Sequence, residues 1–219
     1  MLTITCEQMK AMDSYAINTI GIPSIVLMET AALRTVENID TTLDKFTIIC
    51  GVGNNGGDGL AIARILLVKE KNVEVFIVGN LDKGTKDFNI NLEILKNMNT
   101  EIHHISDKED LILLKNSIDK SDLTLDAIFG IGLTRNVDGI FKDVISTINS
   151  SSKNIYSIDI PSGIDGDTGQ VLGSAVKANK TVTFHLMKKG LLNAPDYTGE
   201  IVVEGIGIPK IATETILKY

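Results

Sequence analysis

With 219 residues, 43% of them apolar and 22% charged, the chain can bury a sizeable core and has the balance of a globular protein. A net charge of −7 argues against general affinity for a nucleic-acid backbone. Two cysteines, Cys6 and Cys50, make no disulfide framework, the N-terminal MLTITCEQMK lacks a signal-length apolar stretch, and no apolar run approaches a membrane span; a cytoplasmic protein is expected.

In chain order, residues 5–18 read as a helix: Thr5 and Gln8 form a capping-box pair, and Met9, Met12, Ala16 and Ile17 fall on one face. Gly21 breaks it, and Pro23 suits the first turn of a second helix running to about Ile39. A strand, FTIIC, then leads through GVGNNGGDG into a helix expected over 60–68. NVEVFIVG is a second strand, residues 85–98 a helix, EIHHI a short strand and residues 107–118 another helix. LTLDAIF is a strand ending near Phe129, residues 137–150 a helix, and NIYSIDI a strand ending at Ile160; KTVTF and EIVVEGI supply later strands. Alternating strands and helices predict an α/β fold: a Rossmann-like three-layer αβα sandwich on a mostly parallel central sheet, with two extra N-terminal helices. No repeat, low-complexity tract or linker interrupts the pattern, so one domain over 1–219 is expected.

Three glycine-rich loops follow strands: GVGNNGGDG, FGIGLTRNVDG and DIPSGIDGDTG. All three belong at the carboxyl edge of a parallel sheet, where doubly wound folds bind ligands at the reversal of strand order. The first and fourth strands are neighbours in the common order, so the first two loops should flank one crevice. Each loop alone could be a tight turn; three together, each with a carboxylate, point to a site.

The first loop holds a G-x-G-x-x-G pattern, Gly51, Gly53 and Gly56, but an ordinary dinucleotide enzyme fits poorly. Asp58 would stand where the helix begins and repel a pyrophosphate, or serve as a plain N-terminal cap. No acidic residue directly ends the second strand, which reads Gly79, Asn80, Leu81, then Asp82. Asn54 and Asn55 are turn formers or oxygen donors. Asn55, Asp126 and Ser162 offer carbonyl, carboxylate and hydroxyl oxygens, which suit a hard cation rather than zinc. DGDTG resembles a calcium loop only superficially, because its twelfth position is Val176; it reads as a turn. Backbone amides of GIGLTR could hold phosphate with Arg135 as a clamp, or Arg135 could be a solvated charge. Asp159, at a strand end beside Ile160 and Pro161, is placed for acid/base chemistry if partial burial raises its pKa, or it only shapes the turn. His103 and His104 fall on a short edge-like strand away from these loops, whereas His185 could end near them.

GVGNNGGDGLAIAR, DAIFGIGLTR, SIDIPSGIDGDTG and TVTFHLMKKGLL with GEIVVEGIGIP, in this order, resemble the YjeF N-terminal domain, the NAD(P)H-hydrate epimerase family, over nearly the whole chain. The resemblance implies an isomerase of metabolite repair. Its substrate would be NADHX or NADPHX, cofactors hydrated on the reduced nicotinamide ring, whose R and S forms it would interconvert ahead of an S-specific dehydratase. It implies substrate binding by Asn54, Asn55, Gly56, Gly57 and Asp58, by Gly130, Ile131, Gly132, Leu133, Thr134, Arg135 and Asn136, and by Asp159. It implies a potassium ion at Asn55, Asp126 and Ser162, and a homodimer. His185 and Met187 stand where the family usually has a small residue and a proline, just before Lys188, a family lysine whose role the sequence leaves open. Asp159 is the candidate acid/base. The same fold also serves as a dimerising, non-enzymatic scaffold in mRNA decapping, and the intact loop carboxylates and asparagines favour the enzyme.

Overall fold

The computed structural model describes residues 2–218. A two-residue strand, β1 (Thr3–Ile4), precedes α1 (Cys6–Tyr15). The capping box closes as expected: Gln8 N donates to Thr5 Oγ1 (3.1 Å) and Thr5 N to Gln8 Oε1 (2.9 Å). The helix continues as a π turn over Ala16–Ile20 and stops at Gly21, whose φ of +86° suits glycine. α2 (Ser24–Glu37) completes the N-terminal pair.

From there strands and helices alternate: β2 (Lys45–Cys50), α3 (Asn54–Val68), β3 (Asn72–Val78), α4 (Lys86–Asn97), β4 (Ile102–Ile105), α5 (Asp110–Lys120), β5 (Leu123–Ala127), α6 (Gly139–Ser151), β6 (Ile155–Ile158) and β7 (Lys180–Phe184). The short β8 (Met187–Lys188), α7 (Lys189–Leu192) and α8 (Pro195–Thr198) lead to β9 (Glu200–Glu204) and α9 (Lys210–Leu217). The central sheet has the order β4-β3-β2-β5-β6-β7-β9, with every pairing parallel. Its first and fourth strands, β2 and β5, are neighbours, and the order reverses between them. β1 pairs with β8 in a separate parallel ribbon.

Strand residues alternate between two cores, as a period of two demands. Ile48, Cys50, Val75, Ile77, Leu123 and Leu125 face the core built with α1 to α4 and α9; Ile49, Phe76 and Val78 face the one built with α5 and α6. The sheet is therefore covered on both faces, the three-layer arrangement expected of alternating elements.

Besides shifts of two or three residues at several element ends, three features differ from the sequence reading. The helix after the glycine turn starts at Asn54, not Leu60, with Gly53 as a cap that offers no side chain. Three glycines make that turn a poor helix former by propensity, and tertiary packing overrides it. A Cβ at Gly56 would collide with the Gly51 carbonyl, and one at Gly57 would lie 2.7 Å from Met28 Cε. The glycines thus let the helix start lie directly against the strand end and α2. Second, β6 ends at Ile158, because Asp159 turns into the left-handed region with φ +65°. Third, α9 and the β1–β8 ribbon were not anticipated.

Candidate active site

A crevice of about 980 Å³ opens at the carboxyl edge of the sheet, at the upper end of the roughly 300–1,000 Å³ usual for small-molecule sites. The loops after β2 and β5 form one wall, with Gly51 to Asn55 and Ile128 to Arg135. Met9, Lys10, Asp13, Ser14, Ile17 and Asn18, one face of α1 and its π turn, form another.

The loop after β5 lines the crevice from Gly130 through Arg135, while Asn136 lies exposed outside the wall. In the first loop Asn54, Asn55 and Asp58 line it; Gly56 and Gly57 sit behind them as packing contacts. Asp58 does not occupy the helix start. It lies in the second turn of α3, so it neither caps the helix nor blocks the free amides at its N-terminus. The objection that it would repel a phosphate there therefore falls.

Asp159 lines the crevice floor and is 8% exposed. Its left-handed backbone is held by Asp159 N donating to Val182 O (2.8 Å). Lys188 Nζ reaches its Oδ1 at 2.6 Å, and Thr183 Oγ1 donates to the same oxygen at 3.1 Å. Lys188 is 1% exposed and also donates to Thr183 Oγ1 (3.0 Å) and Phe184 O (2.8 Å), so all three ammonium hydrogens are used. Burial is thus one part of the Asp159 environment; a buried cation is the other.

Two further carboxyls line the same crevice, Asp13 from α1 and Asp58 from α3. Burial pushes Asp13 up to about 7, with the Asp159 charge adding to the rise and Lys188 opposing it. Burial, then Asp159, Asp13 and Asp87, hold Asp58 well above the usual carboxylate range, again against Lys188. Asp87 is buried in the same wall. The basic residues of the crevice, Lys10, Lys83 and Arg135, are exposed at its mouth. Charge is zoned: acid at depth around one buried ammonium, cations at the rim.

Beneath the crevice lies the proposed ion set. Asp126 is fully buried on β5, opposite Ile49 and Ser157 in the sheet register. Its carboxylate accepts from Ser157 Oγ (2.7 Å), Ser162 N (2.8 Å), Ser162 Oγ (2.5 Å) and Ile128 N (3.3 Å). These neutral donors pull its pKa down, yet burial outweighs them and raises it. Ser162 Oγ also accepts from Phe129 N at 2.9 Å, tying the loop after β5 to the turn after β6. Next to that loop, both polar side-chain atoms of Asn55 are buried without a hydrogen-bond partner, and a Cβ at Gly130 would lie 3.3 Å from its Oδ1. A buried amide left unpaired costs about 1–3 kcal/mol. A buried carboxylate with no cationic partner, a hydroxyl and an orphaned amide oxygen are donors that fit a hard cation.

Other expectations resolve as structure. Asp165 Oδ1 accepts from Asp167 N, Thr168 N and Thr168 Oγ1, a turn rather than a calcium loop. His185 Nε2 contacts Thr213 Oγ1 at 2.8 Å on α9, away from the crevice wall. His103 packs on Phe76 and His104 on the Gly79 carbonyl, both on edge strand β4. Cys6 and Cys50 are free thiols. Asp13 and Asp87 were missed. Asp13 had a signal: it sits four residues from both Met9 and Ile17, a carboxylate interrupting an apolar stripe.

A profile of the family described as YjeF-related protein N-terminus matches residues 24–190. The chain is 42% identical to a protein of Anaerococcus prevotii named NAD(P)H-hydrate epimerase, over 99% of this chain and all of that one. A protein of the same name from Lentilactobacillus buchneri is 41% identical over 94% of each chain. The crystal structure of the yeast protein ynu0 superposes with a TM-score of 0.84, covering 99% of this chain and 93% of that one at 22% identity, which establishes the common fold. The chain belongs to the YjeF-related N-terminal family.

Proposed function

We infer that this protein is an NAD(P)H-hydrate epimerase, interconverting the R and S forms of NADHX and NADPHX. The observation that carries the reading is the acidic floor of the crevice, in a chain 42% identical along its length to a relative of that name. The rim cations Lys10, Lys83 and Arg135 suit the phosphates of a dinucleotide, and the carboxylates suit a reacting end that becomes cationic.

The chemistry follows from the substrate. The hydroxylated ring carbon also bears the ring nitrogen. As the C–O bond breaks, the oxygen takes the electron pair and a proton and leaves as water, while the nitrogen lone pair forms an iminium-like C=N bond. Water then adds to the opposite face, its oxygen forming the new C–O bond and giving up a proton. Asp159 handles that proton at its carboxylate, with Lys188 fixing the carboxylate's position at 2.6 Å. Asp58 lies in the wall of the same crevice with its pKa raised, and positive charge on the ring would pull that pKa back down and draw out its carboxylate. The walls from α1 and the loop after β5 flank the crevice and shield a planar cation there from bulk water.

A potassium ion at Asn55, Asp126 and Ser162 would supply a positive charge that offsets the buried carboxylate and fixes the loop after β5. The family likeness supports a homodimer that acts upstream of an S-specific dehydratase. Chiral chromatography of pure R-NADHX incubated with the protein tests the activity: enzyme-dependent appearance of the S form supports it, and a rate equal to spontaneous epimerisation opposes it.

A further inference from the structure

Inversion at a planar centre poses a geometric demand. The hydroxyl leaves from one face of the ring and water returns to the other, so one fixed carboxyl can serve both events only if the ring turns over between them. The crevice holds a carboxyl on a second wall. Asp159 rises from the carboxyl edge of the sheet; Asp13 reaches the same space from α1, between Met9 and Ile17 on the helix face that closes the crevice. Both line it, and each lies within electrostatic reach of the other.

We propose that Asp13 is a second catalytic acid/base of the epimerisation, serving the ring face opposite to the one served by Asp159. The inference rests on the epimerase reading and assigns the two faces of that reaction to two walls. In one direction a protonated carboxyl gives its proton to the departing oxygen, the C–O bond breaks and the iminium forms. Water adds on the other face, and its proton passes to the other carboxylate. The reverse direction exchanges the roles. No proton is gained or lost overall, but the two carboxyls have traded protonation states, and the enzyme resets by exchange with solvent.

The surroundings of Asp13 support the role. Around it stand Asp159 at the sheet edge, Lys188 on β8, Asp58 on α3 and the exposed Lys10 on its own helix. Burial and the Asp159 charge set its carboxyl at about 7, so near neutral pH it is available in both forms. Asp159 is held by a buried ammonium and is 2.6 Å from it. The two walls thus present carboxyls in unlike environments, the condition for one to donate while the other accepts.

The test uses Asp13→Asn and Asp159→Asn in water enriched in 18O, with each pure epimer. Wild type inverts both epimers and labels both. Asp13→Asn should lose inversion by about 100-fold or more. It should still exchange the ring hydroxyl of one epimer with retention, because the face served by Asp159 keeps its acid/base. Asp159→Asn should retain exchange in the other epimer. Epimerisation by Asp13→Asn within a few-fold of wild type overturns the proposal. So does an equal loss of inversion and exchange for both epimers in a folded Asp13→Asn protein, which makes Asp13 a structural residue. A wild-type protein that does not epimerise overturns the function itself, a distinct result.

Discussion

Lys188 Nζ lies 2.6 Å from Asp159 Oδ1 at the floor of the crevice, and neither side chain has an alternative partner of opposite charge within its own hydrogen bonds. The pair joins two elements far apart in sequence, the turn after β6 and the two-residue strand β8, whose other edge is β1 at the N-terminus. Its geometry makes the N-terminal ribbon part of the site.

Removing one partner of such a pair leaves a buried charge alone. Lys188→Met should cost about 3–5 kcal/mol of stability, read as a shifted urea midpoint. Adding Asp159→Asn to it should cost much less than the sum of the two, because the second change removes the stranded carboxylate. Additive losses would show that the two side chains do not act as a pair.

The raised carboxyls of Asp13 and Asp58 have a consequence for stability. A carboxyl whose pKa is higher folded than unfolded binds more protons in the native state between the two values. Its stabilising contribution is therefore present at low pH and is lost as pH rises through the folded pKa. For Asp13 the window runs from the ordinary value of 3.8 to about 7. Asp13→Asn should be more stable than wild type at pH 8, by on the order of 1–3 kcal/mol, with the advantage shrinking toward pH 4. Denaturation across that range checks it; an advantage that grows on acidification would contradict it.

Two glycines of the first loop separate packing from capping. Gly56→Ala drives a methyl into the Gly51 carbonyl and should destabilise by about 1–3 kcal/mol while disturbing the helix start that carries Asn55. Gly53, the helix cap, has open space where a Cβ would go and a φ of −84°, so Gly53→Ala should change stability by less than about 1 kcal/mol. Thermal melts of the two variants compare them directly.

An ion at Asn55, Asp126 and Ser162 should stabilise the folded state by mass action. Potassium should raise the melting temperature above that in choline chloride of equal ionic strength, with a contribution of about 2.7 kcal/mol at a hundred times the dissociation constant that grows with the logarithm of concentration. Asp126→Asn should abolish the difference. Equal melting temperatures in both salts for the wild type would remove the ion from the account.

Much of this was legible in the sequence, for reasons that particular residues make plain. From β2 onward strands alternate with helices, and that alternation implied a parallel sheet covered on both faces, as the two cores show. The neighbouring of β2 and β5 follows from the common doubly wound order. What stayed hidden depended on tertiary contact. Asn54 to Gly57 read as a turn because glycine disfavours helix, and only close packing on Gly51 and Met28 makes a helix of it. Asp159 read as the strand's penultimate residue because β propensity does not signal a left-handed turn. Lys188 and Asp13 are polar residues in apolar stretches; their pairing and convergence exist only once β8 and α1 are packed against the sheet edge.

The central claim is tested most directly by coupling. Pure R-NADHX is incubated with an excess of S-specific dehydratase, and recovery of NADH is followed by absorbance with and without this protein, in potassium buffer. The account predicts recovery well above the spontaneous rate, and its loss in Asp159→Asn. Recovery at the spontaneous rate with folded wild-type protein would contradict it.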